Sequence, residues 1–364
     1  MERRGGRCYA RACSCESRAS RGRRSSFGDA RRMPSRAGRR RERARFSNAC
    51  PNCFVPPIPT ELTTFMEHSP TRRSLLLAAV AAPFVAACTS APVADQGHAH
   101  TAQAELTALE KASNGRLGVA ALDTSNGVRI AHHARERFPL CGTYAVAAAA
   151  AMLARGSLDA SLLPRRILYR RYEIVAGSPI TESHVDTGMT IEQLCVAMLQ
   201  SGDKGAGNLL MGVLGGPQAV TAFARASGDM SFRLDHWEPE LNNAAPGDER
   251  DTSTPVEMVD TLQRLLLGNT LQEPQRTQLM EWMVGGARGA TGIAAGVPPG
   301  WRIADKAGTG GYGTTTDVAV LWPPSRAPIV MAVSFTQPQA AAAARADVVA
   351  SAARIVAAAL TATA

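Results

Sequence analysis

Strand-like runs stand at the two ends of the patterned part of this sequence, and helical periods fill the space between them. Leu117-Gly118-Val119-Ala120-Ala121-Leu122-Asp123 and Val128-Arg129-Ile130-Ala131 come first, parted by Ser125-Asn126-Gly127. Asn-Gly between two such runs is the strongest short hairpin signal. Strand character returns at 301–307, 315–322 and 328–335. A short helix is expected at 104–113, and a helical block follows at 143–155, 190–201, 206–214, 217–227, 255–267 and 274–285. The Ala-rich segment 339–360 closes as a last helix. One sheet must then be sewn from both ends of the chain. The pattern predicts an α+β fold: an antiparallel sheet flanked by helices, an all-α lobe inserted between its halves, and a cleft where sheet and lobe meet.

Charge divides the chain. Residues 1–65 hold 16 Arg, no Lys and 5 acids, a net of +11, whereas residues 66–364 hold 24 bases and 26 acids, a net of −2. The basic character belongs to the leader, and nucleic-acid binding by the body loses its main support. Residues 1–65 have no apolar period. The expectation is that they are a disordered basic leader, or that translation starts at Met66. Cys50 and Cys53 form a C-x-x-C without a second pair at metal-ligand spacing, which argues against a zinc site there.

From Met66 to Cys88 the chain reads as an export signal. Arg72 and Arg73 form a positive start, Leu75 to Ala87 an apolar stretch too short to span a bilayer, and Val85-Ala86-Ala87-Cys88 resembles a bacterial lipoprotein box. Thr71-Arg72-Arg73-Ser74-Leu75-Leu76 also resembles a twin-arginine signal. Cleavage before a lipidated Cys88 and plain cleavage near Ala87 or Ala91 both remain open, and both deliver an exported, periplasmic protein. Residues 89–104 read as a patternless linker, leaving 105–364 as the folded domain.

Within that domain, Trp237-Glu238-Pro239-Glu240-Leu241-Asn242 and Pro246-Gly247-Asp248-Glu249-Arg250-Asp251-Thr252 resemble the omega loop of class A serine β-lactamases. Ser178-Pro179-Ile180-Thr181-Glu182, Gly215-Gly216-Pro217 and Lys306-Ala307-Gly308-Thr309-Gly310 match the family in order and spacing. The resemblance runs from about residue 105 to 360. It implies the penicillin-recognising serine-hydrolase fold, which agrees with the layout above. It further implies hydrolysis of β-lactams through a serine acyl-enzyme, no cofactor, and a monomer.

Several positions depart from the family's chemistry. Its Ser-x-x-Lys supplies a nucleophilic hydroxyl and, one turn later, the amine that handles its proton. Here Cys141-Gly142-Thr143-Tyr144-Ala145 stands at that place, with Gly142 at the nucleophile position and Ala145 at the lysine position. The family's Ser-Asp-Asn reads Gly202-Asp203-Lys204, and its Lys-Thr-Gly reads Lys306-Ala307-Gly308. Gly177 stands where an aromatic wall is usual, and Gly292 where many relatives carry a carboxylate-binding Arg. These changes predict a wider, smoother cleft. Ser201 and Lys204 spell Ser-x-x-Lys, but in the wrong motif. Cys141 is expected to be structural, and no disulfide with Cys195 is expected.

What survives is equally specific. By the resemblance, Glu238 acts as general base for water and Asn242 positions that water. Asp203 and Asn208 buttress the loops, and Lys306, Thr309 and Lys204 remain to meet an anionic substrate. Backbone N–H groups at 142 and 309 would form the oxyanion hole. The pair across the omega-loop neck becomes His236 and Asp251, predicting a loop whose order follows the charge on His236. No metal is implied, because the His residues are scattered along the sequence. The expected function is that of a β-lactamase-family protein, inactive or strongly impaired for want of its nucleophile. The alternatives are a residual hydrolase driven by Glu238-activated water, and a binding protein for β-lactam or peptidoglycan-like ligands. Membrane contact would come only through a lipid on Cys88.

Overall fold

The computed structural model describes residues 93–286 and 291–362. The basic leader, the export signal and Cys88 lie outside the described residues. Strands β1 (Arg116–Asp123) and β2 (Arg129–His132) form the predicted hairpin. Its loop is longer than the two residues of the tightest hairpins, because Asp123 ties both sides of the turn. The Asp123 N–H reaches Val128 O at 3.0 Å and the Gly127 N–H returns to Asp123 O at 2.9 Å. The Asp123 carboxylate also accepts from the Ser125 N–H and hydroxyl. Gly127, at φ +77°, takes the left-handed corner.

Two-residue strands β3 (Phe138–Pro139) and β6 (Thr252–Ser253) pair with each other, as do β4 (Arg166–Ile167) and β5 (Met189–Thr190). The last strands are β7 (Arg302–Thr309), β8 (Thr315–Trp322) and β9 (Ile329–Thr336). The main sheet runs β2-β1-β9-β8-β7, antiparallel throughout. The seam that sews the two chain ends together is β1 against β9, with Leu117 opposite Phe335 and Asp123 opposite Ile329.

Both faces of this sheet are covered. Leu117, Val119, Met331, Val333 and Phe335 face one core, while Ala120, Leu122, Val318 and Val330 face the other. Burial on both faces gives near-continuous apolar strands instead of an alternating pattern. The first core is closed by α1 (Val93–Ser113) and by the C-terminal helix. The second is filled by the helical lobe: α2 (Tyr144–Gly156), α3 (Ile191–Ser201), α4 (Lys204–Leu214), α5 (Pro217–Ala226), α6 (Pro255–Leu266) and α7 (Glu273–Val284). Helix α2 is buried on nearly all sides, and its run from Ala145 to Ala151 lets α3, α4, α5 and α7 approach its backbone closely.

Two boundaries differ from the sequence reading. Residues 93–104, expected as linker, are helical from Val93 onward and continue into α1, whose Ala102 and Leu106 are buried in the core shared with the C-terminal helix. After the short α8 (Gly292–Gly296), that helix, α9 (Ala346–Thr361), starts well after the beginning of the alanine-rich segment at 339. The carbonyls of Ala340 and Ala343 accept from the Tyr312 N–H and from Gln337 Nε2, so the segment before Ala346 is held by tertiary bonds instead of winding.

Candidate active site

The candidate site is built on the junction of the turn before α2 with β7. Helix α2 is entered through a tight turn, Cys141–Thr143, with Cys141 at φ +44° and the Thr143 hydroxyl returning to Leu140 O at 2.6 Å. That turn presents Gly142 to β7. A Cβ at Gly142 would lie 3.0 Å from Ala307 O, 3.2 Å from Gly308 Cα and 3.5 Å from Lys306 Nζ. Lys306 is buried on β7, and its ammonium donates to Ala307 O at 2.8 Å. Burial pushes the Lys306 pKa down, and the carboxylates of Asp317, Asp305 and Glu238 oppose that push. Thr309 ends the strand, exposed to solvent.

The second part is the link between α3 and α4. Gly202 closes α3 in the left-handed conformation, φ +64°, and nothing lies within 4 Å of the point its Cβ would take. Asp203 caps α4, its carboxylate accepting from the N–H groups of Ile180, Thr181 and Ala206 and from the Thr181 hydroxyl. Lys204 opens α4. Because the chain reverses at Gly202, Ser201 and Lys204 do not share a helix, and the Ser-x-x-Lys they spell is not the one-turn arrangement the motif requires.

The third part is the segment 237–242. Asn208 on α4 holds it by two reciprocal bonds: Nδ2 to Glu238 O and the Glu238 N–H to Oδ1, each 2.9 Å. Glu238 is buried, and Asn242 Nδ2 donates to its carboxylate at 2.5 Å. Burial raises the Glu238 pKa, while the Asn242 bond, the Lys204 charge, the Tyr144 phenol and the Lys306 charge pull it down. Glu238, Asn242, Lys204 and Lys306 thus lie near one another.

Tyr144 is the participant that sequence reasoning missed. It is the first residue of α2, fully buried, and its phenol stands beside the Glu238 carboxylate, the two acting on each other electrostatically. The ring needs the space left by Gly207 on α4, where a Cβ would collide with Tyr144 Oη. The small residues of the site are not all left open: Gly202 faces free space, while Gly177 and Gly292 are covered by neighbours. Tyr144 sits beside buried Ala145. The Lys204 stem lies across Gly177, whose Cβ would be 3.1 Å from Lys204 Cδ. Gly292, at φ +58°, packs directly on the Asp317 carboxylate, which also accepts from the Ile293 N–H at 2.8 Å. Among the described residues Cys141 and Cys195 are free and buried. Burial, together with the charges of Glu238 and Asp251, pushes the Cys141 thiol up to about 12, which leaves no thiolate at neutral pH.

At the loop neck, His236 Nδ1 lies 2.6 Å from Asp251 Oδ2. Asp251 Oδ1 accepts in addition from the N–H groups of Asp235 and His236, at 2.8 and 3.0 Å. Arg233 pairs separately with Asp235.

The Beta-lactamase2 model, described as the β-lactamase enzyme family, matches residues 101–360. The chain belongs to that family. Its relatives carry class A names: it is 49% identical to the β-lactamase OXY-2 of Klebsiella oxytoca over 69% of this chain and 87% of that protein. It is 48% identical to CTX-M-8 of Citrobacter amalonaticus over 73% and 91%. Among solved structures, a β-lactamase from Burkholderia ambifaria is 87% identical, with a TM-score of 0.70 over 71% of this chain and 100% of that one. One from Desulfarculus baarsii is 46% identical, with a TM-score of 0.71 over 72% and 98%. The α+β layout and the class A serine β-lactamase family are therefore both established for this chain.

Proposed function

We propose that this family member recognises β-lactam or peptidoglycan-like anions without carrying out efficient acyl transfer. The observation that carries this reading is at Gly142. The position that the motif resemblance assigns to the nucleophile brings no side chain, and the nearest atoms to its missing Cβ are a carbonyl, a glycine Cα and an ammonium turned to a backbone oxygen. Ala145 brings no amine and Gly202 no hydroxyl, so neither the attack nor protonation of the leaving nitrogen has a donor at the usual place. Lys306, Lys204 and Thr309 remain to bind a carboxylate, and the N–H groups of residues 142 and 309 to polarise a carbonyl. The protein is read as an exported monomer, tethered only if Cys88 carries a lipid.

A second reading rests on Glu238. Its Asn242 partner at 2.5 Å and its raised pKa suit a base that activates water for direct attack. Loss of a nucleophile in serine proteases leaves roughly 10³–10⁴ over the reaction in water, from oxyanion hole and binding alone.

Turnover of a chromogenic cephalosporin separates the two. No turnover above background, with equilibrium penicillin binding weakened by Lys306→Ala, is the expected result. Turnover abolished by Glu238→Gln would establish the water route instead, and absence of binding at millimolar penicillin would end the recognition reading. Acylation regained in a Gly142→Ser, Ala145→Lys, Tyr144→Ala variant would show that the loss lies in those side chains.

A further inference from the structure

On the far side of the hairpin, three side chains converge on one point. Glu110 comes from α1, and His132 and His133 from the end of β2. His132 Nε2 lies 2.8 Å and His133 Nε2 3.2 Å from the same oxygen, Glu110 Oε2, and the three ligand atoms all fall within 4.8 Å of one another. The geometry points to a zinc-class divalent cation site formed by Glu110, His132 and His133.

The spacing suits such an ion. In tetrahedral coordination with bonds of roughly 2.0–2.1 Å, neighbouring ligand atoms stand about 3.3–3.4 Å apart. The hydrogen-bonded cluster is tighter than that at His132 and close to it at His133, so a small outward shift admits the ion. Water would complete the coordination on the side of His133, which is 40% exposed, whereas His132 is buried.

Each ligand is also oriented from behind. Glu110 Oε1 is fixed by the Leu117 N–H at 2.8 Å, which leaves Oε2 turned to the imidazoles. His133 Nδ1 lies 2.7 Å from Glu136 Oε1, the carboxylate–histidine arrangement that fixes ring and tautomer in metal centres. His132 Nδ1 lies 2.9 Å from the Gln103 side-chain amide. With Nε2 on a metal, the Nδ1 proton goes to the Gln103 oxygen, which requires only the amide orientation in which oxygen faces the ring. His133 reaches the cluster from a left-handed backbone, φ +44°, which lets two consecutive residues of a strand end face the same side. An ion here would clasp the N-terminal helix to the edge strand of the sheet.

The test is titration of the metal-free full chain with Zn²⁺ and Co²⁺. One equivalent is expected to bind to wild type and to be lost from both Glu110→Gln and His133→Ala. Glu110→Gln keeps the acceptor for Leu117, and His133 is exposed, so both variants should fold with unchanged circular dichroism. Glu136→Gln should weaken binding by roughly 10–100-fold. The Co²⁺ form should show intense visible bands of a four-coordinate N/O site without the thiolate charge-transfer absorption that leader cysteines would add. His98→Ala with His100→Ala should leave that equivalent in place. Unchanged stoichiometry in Glu110→Gln and His133→Ala, or no binding at tens of micromolar metal, would overturn the assignment and leave a network of hydrogen bonds.

Discussion

The Tyr144 hydroxyl fills the place that a side chain on Gly207 would take, so these two positions on α2 and α4 are locked to each other. The phenol can reach Glu238 only because α4 offers no Cβ at that point. Gly207→Ala should therefore force Tyr144 out of its seat and cost about 1–3 kcal/mol, the range for overpacking a core. In a Tyr144→Phe background the colliding oxygen is gone, and the same substitution should cost little or be favourable, since Ala is the better helix former. Denaturant unfolding of the four proteins gives the coupling directly. Equal costs in both backgrounds would mean that the two residues are independent.

Asn208 fixes the Glu238 backbone from the α4 side. Asn208→Ala removes both reciprocal bonds and leaves the N–H and carbonyl of Glu238 to find other partners. A loss of about 2–3 kcal/mol is expected, in line with two bonds of roughly 1 kcal/mol and the partial burial of the groups left behind. Amide exchange should speed up at Glu238 to Asn242 more than elsewhere in α4. A uniform change across α4 would place the effect in the helix instead of the loop.

Much of this arrangement can be read from the sequence, and the exceptions have physical causes. The β1–β9 seam follows from where the apolar runs lie, and Glu238, Asn242, Lys204 and Lys306 follow from motif spacing. Tyr144 and Gly207 escape such reading because they stand far apart in the chain and only packing relates a large residue to a small one. The His132–His133–Glu110 cluster escapes for a related reason: sequence separation hides that α1 lies across the end of β2. The start of α9 escapes because tertiary hydrogen bonds to Ala340 and Ala343 overrule an alanine run of high helix propensity.

The omega-loop neck depends more on Asp251 than on the charge of His236. Of the three bonds made by the Asp251 carboxylate, two come from backbone N–H groups whose donation does not change with pH. His236→Ala should therefore loosen the loop only modestly, by about 0.5–1.5 kcal/mol, while Asp251→Ala should cost about 2–4 kcal/mol because it strands two backbone donors as well. Exchange rates at Glu238 to Asn242, corrected for intrinsic rates, rank the two variants. Equal loosening would restore control of the loop to the imidazole.

A buried carboxylate away from the candidate site sets a pH dependence of stability. Asp229 is 1% exposed and accepts from the N–H groups of Ser231 and Phe232 and from the Ser253 hydroxyl. Burial outweighs those bonds and lifts its pKa from 3.8 to about 6. The folded chain thus holds this proton more tightly than the unfolded chain does. The stability contributed by the group is full below about pH 3.8, falls as pH rises through about 6, and is flat above. Asp229→Asn should abolish that fall. The amide oxygen can keep the backbone bonds, and its NH₂ can donate to the Ser253 hydroxyl. The variant is expected to be more stable than the parent by on the order of 2–3 kcal/mol at about pH 7.5, with the difference shrinking to near zero by about pH 4. Thermal melts of the two proteins across that range decide it. A difference that stays constant with pH would show that Asp229 ionises as readily in the fold as in the unfolded chain.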